Sequence, residues 1–150
     1  MTTVLTRRAL TQRGALAAIA AVIVARDAAA TPDQVKEWIS SLSKGTPTEG
    51  KVTIKASEIA ENGSAVPVTV TVDSEMSEKS WVKALHVAAD GNPNPGVASY
   101  TFSALAGKVE VQLRVRMAQT QKLVAVAEMN DGSVFIASRD VKVTIGGCGG

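Results

Sequence analysis

The sequence predicts an all-β fold, an immunoglobulin-like antiparallel β-sandwich of about seven strands with a short helix before it and a flexible glycine-rich arm after it. The clearest sign is in residues 109–117, where apolar residues alternate with polar and charged ones, as in a strand with one buried face. The chain is 45% hydrophobic but only 3% aromatic, so small and β-branched residues must build the core. Turn signals separate the apolar runs, and Asn130-Asp131-Gly132 is a strong hairpin turn.

A short helix is predicted at the start of the domain. Pro32 would lie in its first turn, where proline is favoured, and Asp33 near the positive end of the helix dipole. Gly45 is expected to end the helix. Four apolar residues recur at helical spacing and predict one face that packs in the core or at an interface. They are Val35, Trp38, Ile39 and Leu42.

Seven runs with the pattern of strands follow the helix. Residues 58–63 are interpreted as a polar connection. Pro67 is expected at a sheet edge or a strand start, because proline cannot donate a ladder hydrogen bond. In the last run Val141, Val143 and Ile145 are expected to face inward. The runs are 52–55, 66–72, 82–89, 97–102, 109–117, 122–128 and 134–145.

The N-terminus is predicted to be an export signal. Arg7 and Arg8 form a twin arginine ahead of an apolar run at residues 14–25. That run has 12 residues, fewer than the roughly 20 that a membrane-spanning helix needs. Ala28 and Ala30 supply the small residues of a cleavage site.

Export determines the expected domain organisation. Residues 1–30 are interpreted as a cleavable twin-arginine signal peptide, residues 31–145 as the helix and β-sandwich, and residues 146–150 as a mobile carrier arm. The protein is expected in the periplasm, with no membrane insertion of the mature chain. Because the twin-arginine route carries folded proteins, we also expect a partner subunit that binds before export.

The C-terminal tail contains the only cysteine of the chain, with two glycines on each side. Glycine visits both halves of φ space, so the tail has high conformational freedom. At about 3.3–3.6 Å per extended residue, the thiol could swing out roughly 10 Å. In an oxidising compartment a lone cysteine is either an intermolecular link or a free reactive thiol. The tail consists of Gly146, Gly147, Cys148, Gly149 and Gly150.

The sequence contains no recognisable catalytic or metal-binding constellation. His86 is the only histidine, which excludes a multi-histidine metal site, and it is interpreted as a satisfied or surface imidazole. Nucleophile-elbow, P-loop and dinucleotide-binding motifs are missing. Residues 31–150 carry 12 basic and 13 acidic side chains, so no basic excess indicates nucleic acid. We therefore predict no catalytic residue, metal or cofactor, and interpret Cys148 as a passenger site for other enzymes.

The pentapeptide Gly-Gly-Cys-Gly-Gly at the C-terminus, on a β-sandwich with a twin-arginine signal, resembles the SoxY family. Its members are the carrier subunits of the bacterial SoxYZ complex for thiosulfate oxidation. The resemblance covers the whole chain, and the tail around Cys148 is its specific part. The signal departs from the usual motif at Leu10 and Thr11, where phenylalanine and lysine are common.

The resemblance implies the chemistry and the partners. Thiosulfate would be joined oxidatively to the thiol of Cys148, and its two sulfur atoms would then be released in turn as sulfate. A haem-containing c-type cytochrome, a sulfate-releasing hydrolase and a sulfane dehydrogenase would act on the bound sulfur. The resemblance also implies a heterodimer with a small SoxZ-like β-sandwich subunit.

Two other functions are compatible with these sequence features. A ubiquitin-like sulfur carrier would hold sulfur as a thiocarboxylate on Gly150, and Cys148 would be incidental. Such carriers are cytoplasmic and mix helix into a small sheet, which the export signal and the strand count disfavour. An exported structural or adhesive β-sandwich would need neither residue.

Overall fold

A computed structural model describes residues 31–145. The predicted export signal, with Arg7, Arg8, Ala28 and Ala30, and the tail at residues 146–150 lie outside the described residues. The described part contains one α-helix, nine strands and a 3-10 turn at Ala104–Ala106. The bounds are α1 Pro32–Leu42, β1 Pro47–Glu49, β2 Val52–Ala56, β3 Ile59–Ala60, β4 Val66–Val72, β5 Val82–Ala89, β6 Gly96–Thr101, β7 Val109–Val115, β8 Gln121–Met129 and β9 Val134–Val143.

Two sheets pack face to face, which confirms the predicted β-sandwich. The first has the order β1-β9-β8-β5-β6, with β3 also paired to β9, and the second has the order β2-β4-β7. Each of the seven predicted runs contains one strand. The two strands that the pattern does not predict, β1 and β3, pair with β9 in parallel. The other pairings in the described part are antiparallel.

The first three strands form one extended stretch that changes sheets twice. The chain leaves β9 after β1, turning at Gly50 and Lys51 with φ angles of 125° and 57°. It joins the second sheet as β2 and returns to β9 as β3, so the interpretation of residues 58–63 as connection alone is wrong. Strands of three and two residues are too short to show a period of two, which explains why the pattern misses them.

Valine dominates the core between the sheets. The inward residues of β4 are 0–4% exposed, and Leu85 and Leu123 of the opposite sheet are fully buried. Burying each such side chain contributes about 1.5–3 kcal/mol relative to leaving it exposed. Pro67 is the second residue of β4, one position before the pairing with β2 begins at Val68. It therefore lies at a strand start, as predicted.

Helix α1 covers the outer face of the five-strand path. Thr31 caps it: its hydroxyl accepts from the Gln34 amide at 3.3 Å, and the Gln34 side chain accepts from the Thr31 amide at 2.8 Å. This reciprocal capping box satisfies amide groups that the first turn leaves free. Val35 and Ile39 are buried in a second apolar cluster on that outer face, whereas Leu42 is 39% exposed. The predicted apolar face is therefore buried at Val35 and Ile39 and exposed at its C-terminal end, at Leu42.

The helix ends earlier than predicted. Its last residue is Leu42, and Ser43 in extended conformation is the C-cap, so the assignment of Gly45 as the helix stop is wrong. Gly45 has a packing role instead. A Cβ at this position would lie 2.6 Å from Cγ2 of Val134 and 2.7 Å from the carbonyl oxygen of Gly132, so the chain passes β9 too closely for a side chain.

Candidate functional site

The candidate site is built on the C-terminal end of β9. We call residues 143–145, the last three that the structure describes, the arm root. Pairing with β8 ends at Gln121 and Val141, and pairing with β3 ends at Ala60 and Val143. Val143 therefore lies past the ladder with β8 but still pairs with β3, and Thr144 and Ile145 continue past both ladders.

Just beyond the last pair of β8 with β9, a threonine hydroxyl forms hydrogen bonds with the backbone of the arm root. The amide of Val143 donates to Oγ1 of Thr120 at 2.9 Å, and the same hydroxyl donates to the Val143 carbonyl at 3.4 Å. Thr120 lies immediately before β8. Its side chain thus replaces a backbone partner and satisfies both polar groups of Val143.

The segment after β3 contacts the other side of the arm root. The Thr144 amide donates to the carbonyl of Ala60 at 3.1 Å, and the Thr144 hydroxyl donates to the carbonyl of Glu61 at 2.9 Å. One step further, the Gly63 amide donates to the carbonyl of Ile145 at 2.8 Å. The chain is thus tied down to its last described carbonyl.

Gly63 also connects the arm root to the opposite sheet. Its own carbonyl accepts from the amide of Met117 at 2.7 Å, and Met117 is fully buried just beyond β7. A single glycine therefore links the ends of β9 and β7 across the sandwich. The part of the anchor that runs through Gly63 consists of backbone hydrogen bonds, whereas Thr120 and Thr144 contribute through their side chains.

The sequence-predicted attachment site lies beyond this anchor. Cys148 is three residues after Ile145, and the four flanking glycines surround it; all five lie outside the described residues. At about 3.3–3.6 Å per residue, the Cα of Cys148 is at most roughly 10 Å from that of Ile145. Any group bound to the thiol is confined to this end of the sandwich.

Two exposed isoleucines lie in the segments that form this end. Ile145 is 67% exposed and Ile59 of β3 is 58% exposed. The prediction that Ile145 faces inward is wrong, because β9 ends at Val143 and the alternation stops with it; Val141 is fully buried and Val143 half-buried, as predicted. Contiguous exposed apolar patches mark contact surfaces, whereas single exposed aliphatic side chains are ordinary.

Charged groups near the arm root have both signs. Nη2 of Arg139 lies 3.9 Å from Oε1 of Glu58, and the Arg139 Nε is buried without a hydrogen-bond partner in the described part of the chain. Arg139 lies on the same face of β9 as Ala137 and Val141, which contact the core between the sheets, so its side chain starts on the inward face.

His86 lies away from the arm root, beneath α1. Its Nδ1 is 2.8 Å from Oγ of Ser99 on β6, and its ring meets that of Trp38 edge to face, with centroids 6.0 Å apart. It is 8% exposed. Burial lowers its pKa below the ordinary 6.5, and the nearby Glu128 carboxylate opposes this effect. Of the two alternatives that the sequence left open, a satisfied or a surface imidazole, the structure shows the first.

A cleft of about 620 Å³ lies between α1 and the outer face of the sheet. Val35, Ile39, Val124 and Ile136 of the second apolar cluster line it. Within residues 31–145, no three His, Cys, Asp or Glu side chains are grouped closely enough to hold a metal ion. No helix in that range is long and apolar enough to cross a bilayer.

Sequence reasoning does not find the residues that anchor the tail. Thr120, Thr144 and Gly63 carry no motif, and their partners are up to 83 positions away in the chain. A faint signal exists in the threonines that flank the last two strands, because threonine hydroxyls often bond to free backbone groups. Which groups are free depends on the register of β8, β3 and β9.

Fold and site together define the class of this protein: a β-sandwich whose last strand leads into a terminal segment bearing the only cysteine. The sequence model of the family described as "Sulfur oxidation protein SoxY" matches residues 35–148. The chain belongs to the SoxY family. The match begins inside α1 and ends at Cys148 itself.

Solved structures agree with this assignment. The sulfur carrier protein SoxY from Chlorobium limicola f thiosulfatophilum is 36% identical, with a TM-score of 0.64, over 77% of this chain and 100% of that one. A superoxide reductase (neelaredoxin) from Ignicoccus hospitalis is 20% identical, with a TM-score of 0.52, over 75% of this chain and 92% of that one. This second likeness shows a shared fold alone. No curated protein sequence matches the chain.

Proposed function

We propose that this protein is a carrier in sulfur oxidation that holds intermediates of thiosulfate oxidation covalently on the thiol of Cys148. The observation that carries the proposal is the extent of the family match, which runs to Cys148. Hydrogen bonds anchor the chain as far as the Ile145 carbonyl. The thiol is thus placed three residues beyond an anchored end, a suitable arrangement for presenting cargo to other proteins.

Loading joins the thiol to the outer sulfur of thiosulfate. The S–H bond of Cys148 breaks and an S–S bond forms, which gives a cysteine S-thiosulfonate and releases one proton and two electrons. A haem-containing c-type cytochrome partner accepts the electrons. The cation nearest in sequence that could favour the thiolate is Lys142, six positions away, so activation of the thiol is assigned to the partner.

Unloading returns both sulfur atoms as sulfate. A hydrolase partner adds water to the terminal sulfone, breaks its S–S bond and leaves a persulfide anion on Cys148 together with sulfate and two protons. A sulfane dehydrogenase oxidises the outer persulfide sulfur with three waters, which releases six protons and six electrons to a cytochrome acceptor. A second hydrolysis then yields sulfate and the free thiol.

The glycines suit this task because the thiol must enter several different active sites. Without Cβ atoms, Gly146, Gly147, Gly149 and Gly150 present only backbone to the walls of a pocket, and they allow backbone angles that other residues avoid. The proposed carrier requires no cofactor and performs no chemistry alone, because partner enzymes supply each reaction on Cys148.

The proposed setting is the periplasm, reached by twin-arginine export through Arg7 and Arg8 with cleavage after Ala30. The proposed stable partner is a small SoxZ-like β-sandwich subunit that is exported together with this chain. No nucleic acid and no membrane insertion of the mature chain are part of the proposal. The exposed Ile59 and Ile145 lie where partners that act on Cys148 must approach.

Intact-mass spectrometry of the exported protein tests the carrier function. During growth on thiosulfate we expect reducible adducts of sulfur-oxygen species that map to Cys148, and we expect Cys148→Ser to abolish them without changing folding. If the mature protein carries no such adduct under these conditions, the proposal fails. Recovery of the protein only as a monomer or a disulfide-linked homodimer would contradict the proposed heterodimer.

The same preparation separates the competing functions. One extra residue after Gly150 would block a thiocarboxylate carrier, whereas a thiol carrier should retain full adduct formation. Loss of the adduct on extension, with Cys148→Ser still active, would favour the thiocarboxylate. An exported structural or adhesive protein would tolerate both changes.

A further inference from the structure

Two threonine hydroxyls secure the arm root from opposite sides. Thr120 both accepts from the amide of Val143 and donates to its carbonyl, and the Thr144 hydroxyl donates to the carbonyl of Glu61. These bonds lie beyond the last ladder pairs of β9 with β8 and β3. An ordinary strand would fray at this point, since terminal residues without partners open with little free-energy cost.

Both threonines act on the backbone, so their effect is on the path of the chain rather than on cargo chemistry. Thr120 and Thr144 are exposed, and neither fills space in the core. Their contribution is therefore separable from the stability of the sandwich. The Gly63 amide completes the anchor at the Ile145 carbonyl.

We infer that Thr120 and Thr144 are positioning residues for the carrier arm: they set its pivot directly after Ile145 and so limit the reach of Cys148 to three residues. The inference rests on the proposed carrier function. If the chain frayed back to Lys142, residues 143–145 would join the arm, and its maximum reach would grow by roughly 10 Å at about 3.3 Å per residue. A longer tether lowers the effective concentration of the Cys148 thiol at the active site of a docked enzyme.

The only cysteine of the chain permits a direct test in the mature protein. A nitroxide attached to Cys148 reports arm mobility by its EPR line shape, and amide exchange reports protection of residues 143–145. In Thr120→Val/Thr144→Val we expect a narrower, more mobile spectrum, and exchange at the arm root about tenfold faster for each hydrogen bond lost. Valine keeps the β-branched shape and removes only the hydroxyl.

Two control variants make the result specific. Thr71→Val makes the same chemical change in β4, where the hydroxyl has no hydrogen bond to any described residue, and it should leave the spectrum unchanged. Thr120→Ser/Thr144→Ser keeps both hydroxyls and should restore the parental spectrum and exchange rates. A parental spectrum in the double valine variant, with the same urea midpoint as the parent, would overturn the inference.

Failure of the inference is distinguishable from failure of the carrier function. Adduct formation at Cys148 is measured by mass on the same variants. If adducts form but the nitroxide spectrum is the same with and without the threonine hydroxyls, the inferred pivot after Ile145 is wrong and the carrier function stands. If the spectrum responds as expected but thiosulfate never loads Cys148, the threonines position a tail whose function is not sulfur transport.

Discussion

The indole ring of Trp38 lies directly on the backbone of Gly96. A Cβ built at Gly96 would come within 2.8 Å of Cε2 and Nε1 of that ring, closer than non-bonded atoms approach. This contact sets the distance between helix α1 and the edge strand β6. The edge-to-face contact of Trp38 with His86 depends on the same position of the ring.

Gly96→Ala should therefore destabilise the protein through Trp38. We expect a loss of about 1–3 kcal/mol, the usual cost of overpacking, measured by urea unfolding. The matched control is the same change in a Trp38→Leu background, where the smaller side chain leaves room for the Cβ and the added cost should fall below about 0.5 kcal/mol. Equal costs in both backgrounds would mean that Gly96 is needed for the conformation of β6 and not for its contact with Trp38.

His86 should make stability depend on pH. Because burial lowers its folded pKa below the ordinary 6.5, the unfolded chain binds the proton more tightly. The contribution of the neutral imidazole is complete above about pH 6.5 and is lost as the pH falls from there through the folded pKa. Glu128, paired with Lys83 at 2.8 Å, is the charged group that opposes the shift. We expect the free energy of unfolding to fall as the pH drops below about 6.5.

His86→Gln should remove this dependence, since glutamine carries no titrating group and can still meet Ser99. The pKa values of Glu110 and Asp131 are lowered by hydrogen bonds from Lys108 and Ser133, respectively. The contributions of these two carboxylates to stability are lost only as the pH falls below the ordinary carboxyl pKa values, so they do not affect the pH range in which His86 titrates. The measurement is the free energy of urea unfolding from pH 5 to 8, roughly the range in which histidine titrates. If His86→Gln shows the same pH dependence as the parent, His86 is not its source.

Asn92→Ala should destabilise the end of the sandwich that carries the arm root. The Asn92 side chain accepts from the Ala118 amide at 3.1 Å and from Nε2 of Gln121 at 3.0 Å, and it donates to the Arg116 carbonyl at 2.7 Å. Its loss removes these three hydrogen bonds, and we expect a cost of about 1–3 kcal/mol. Asn94→Ala, in the same loop and exposed, is the control and should change unfolding by less than about 0.5 kcal/mol.

Gly146→Pro/Gly147→Pro should impair the carrier without affecting the domain. Proline fixes φ and removes conformations that the thiol needs in order to enter different pockets. Thiosulfate-dependent loading of Cys148 by partner enzymes should fall at least about tenfold if the lost freedom costs about 1.4 kcal/mol in the loading transition state. The urea midpoint should stay at the parental value because both residues lie beyond the anchored Ile145. Full activity in the double proline variant would show that tail flexibility is dispensable.

The sequence and the structure agree best where one pattern is sufficient. Alternation alone is enough to predict β7, because each of its residues faces either the core or water. β5 matches its predicted bounds of residues 82–89. The strands β1 and β3 are not predicted, because three and two residues are too few to show the apolar-polar alternation of a strand. Ile145 was expected inside because the pattern continues past Val143, but the sheet that would cover it ends first.

The sequence by itself determined the sandwich, the helix before it and the tail around Cys148, since these follow from local periodicity, composition and a single cysteine among glycines. Only the tertiary structure decided where the tail is anchored and how His86 is buried. Thr120, Thr144 and Gly63 meet the arm root because β8, β3 and β9 end at particular registers, and Trp38 covers His86 because Gly96 lets the helix approach. Such contacts join residues far apart in the chain, and their geometry emerges only when the strands have paired.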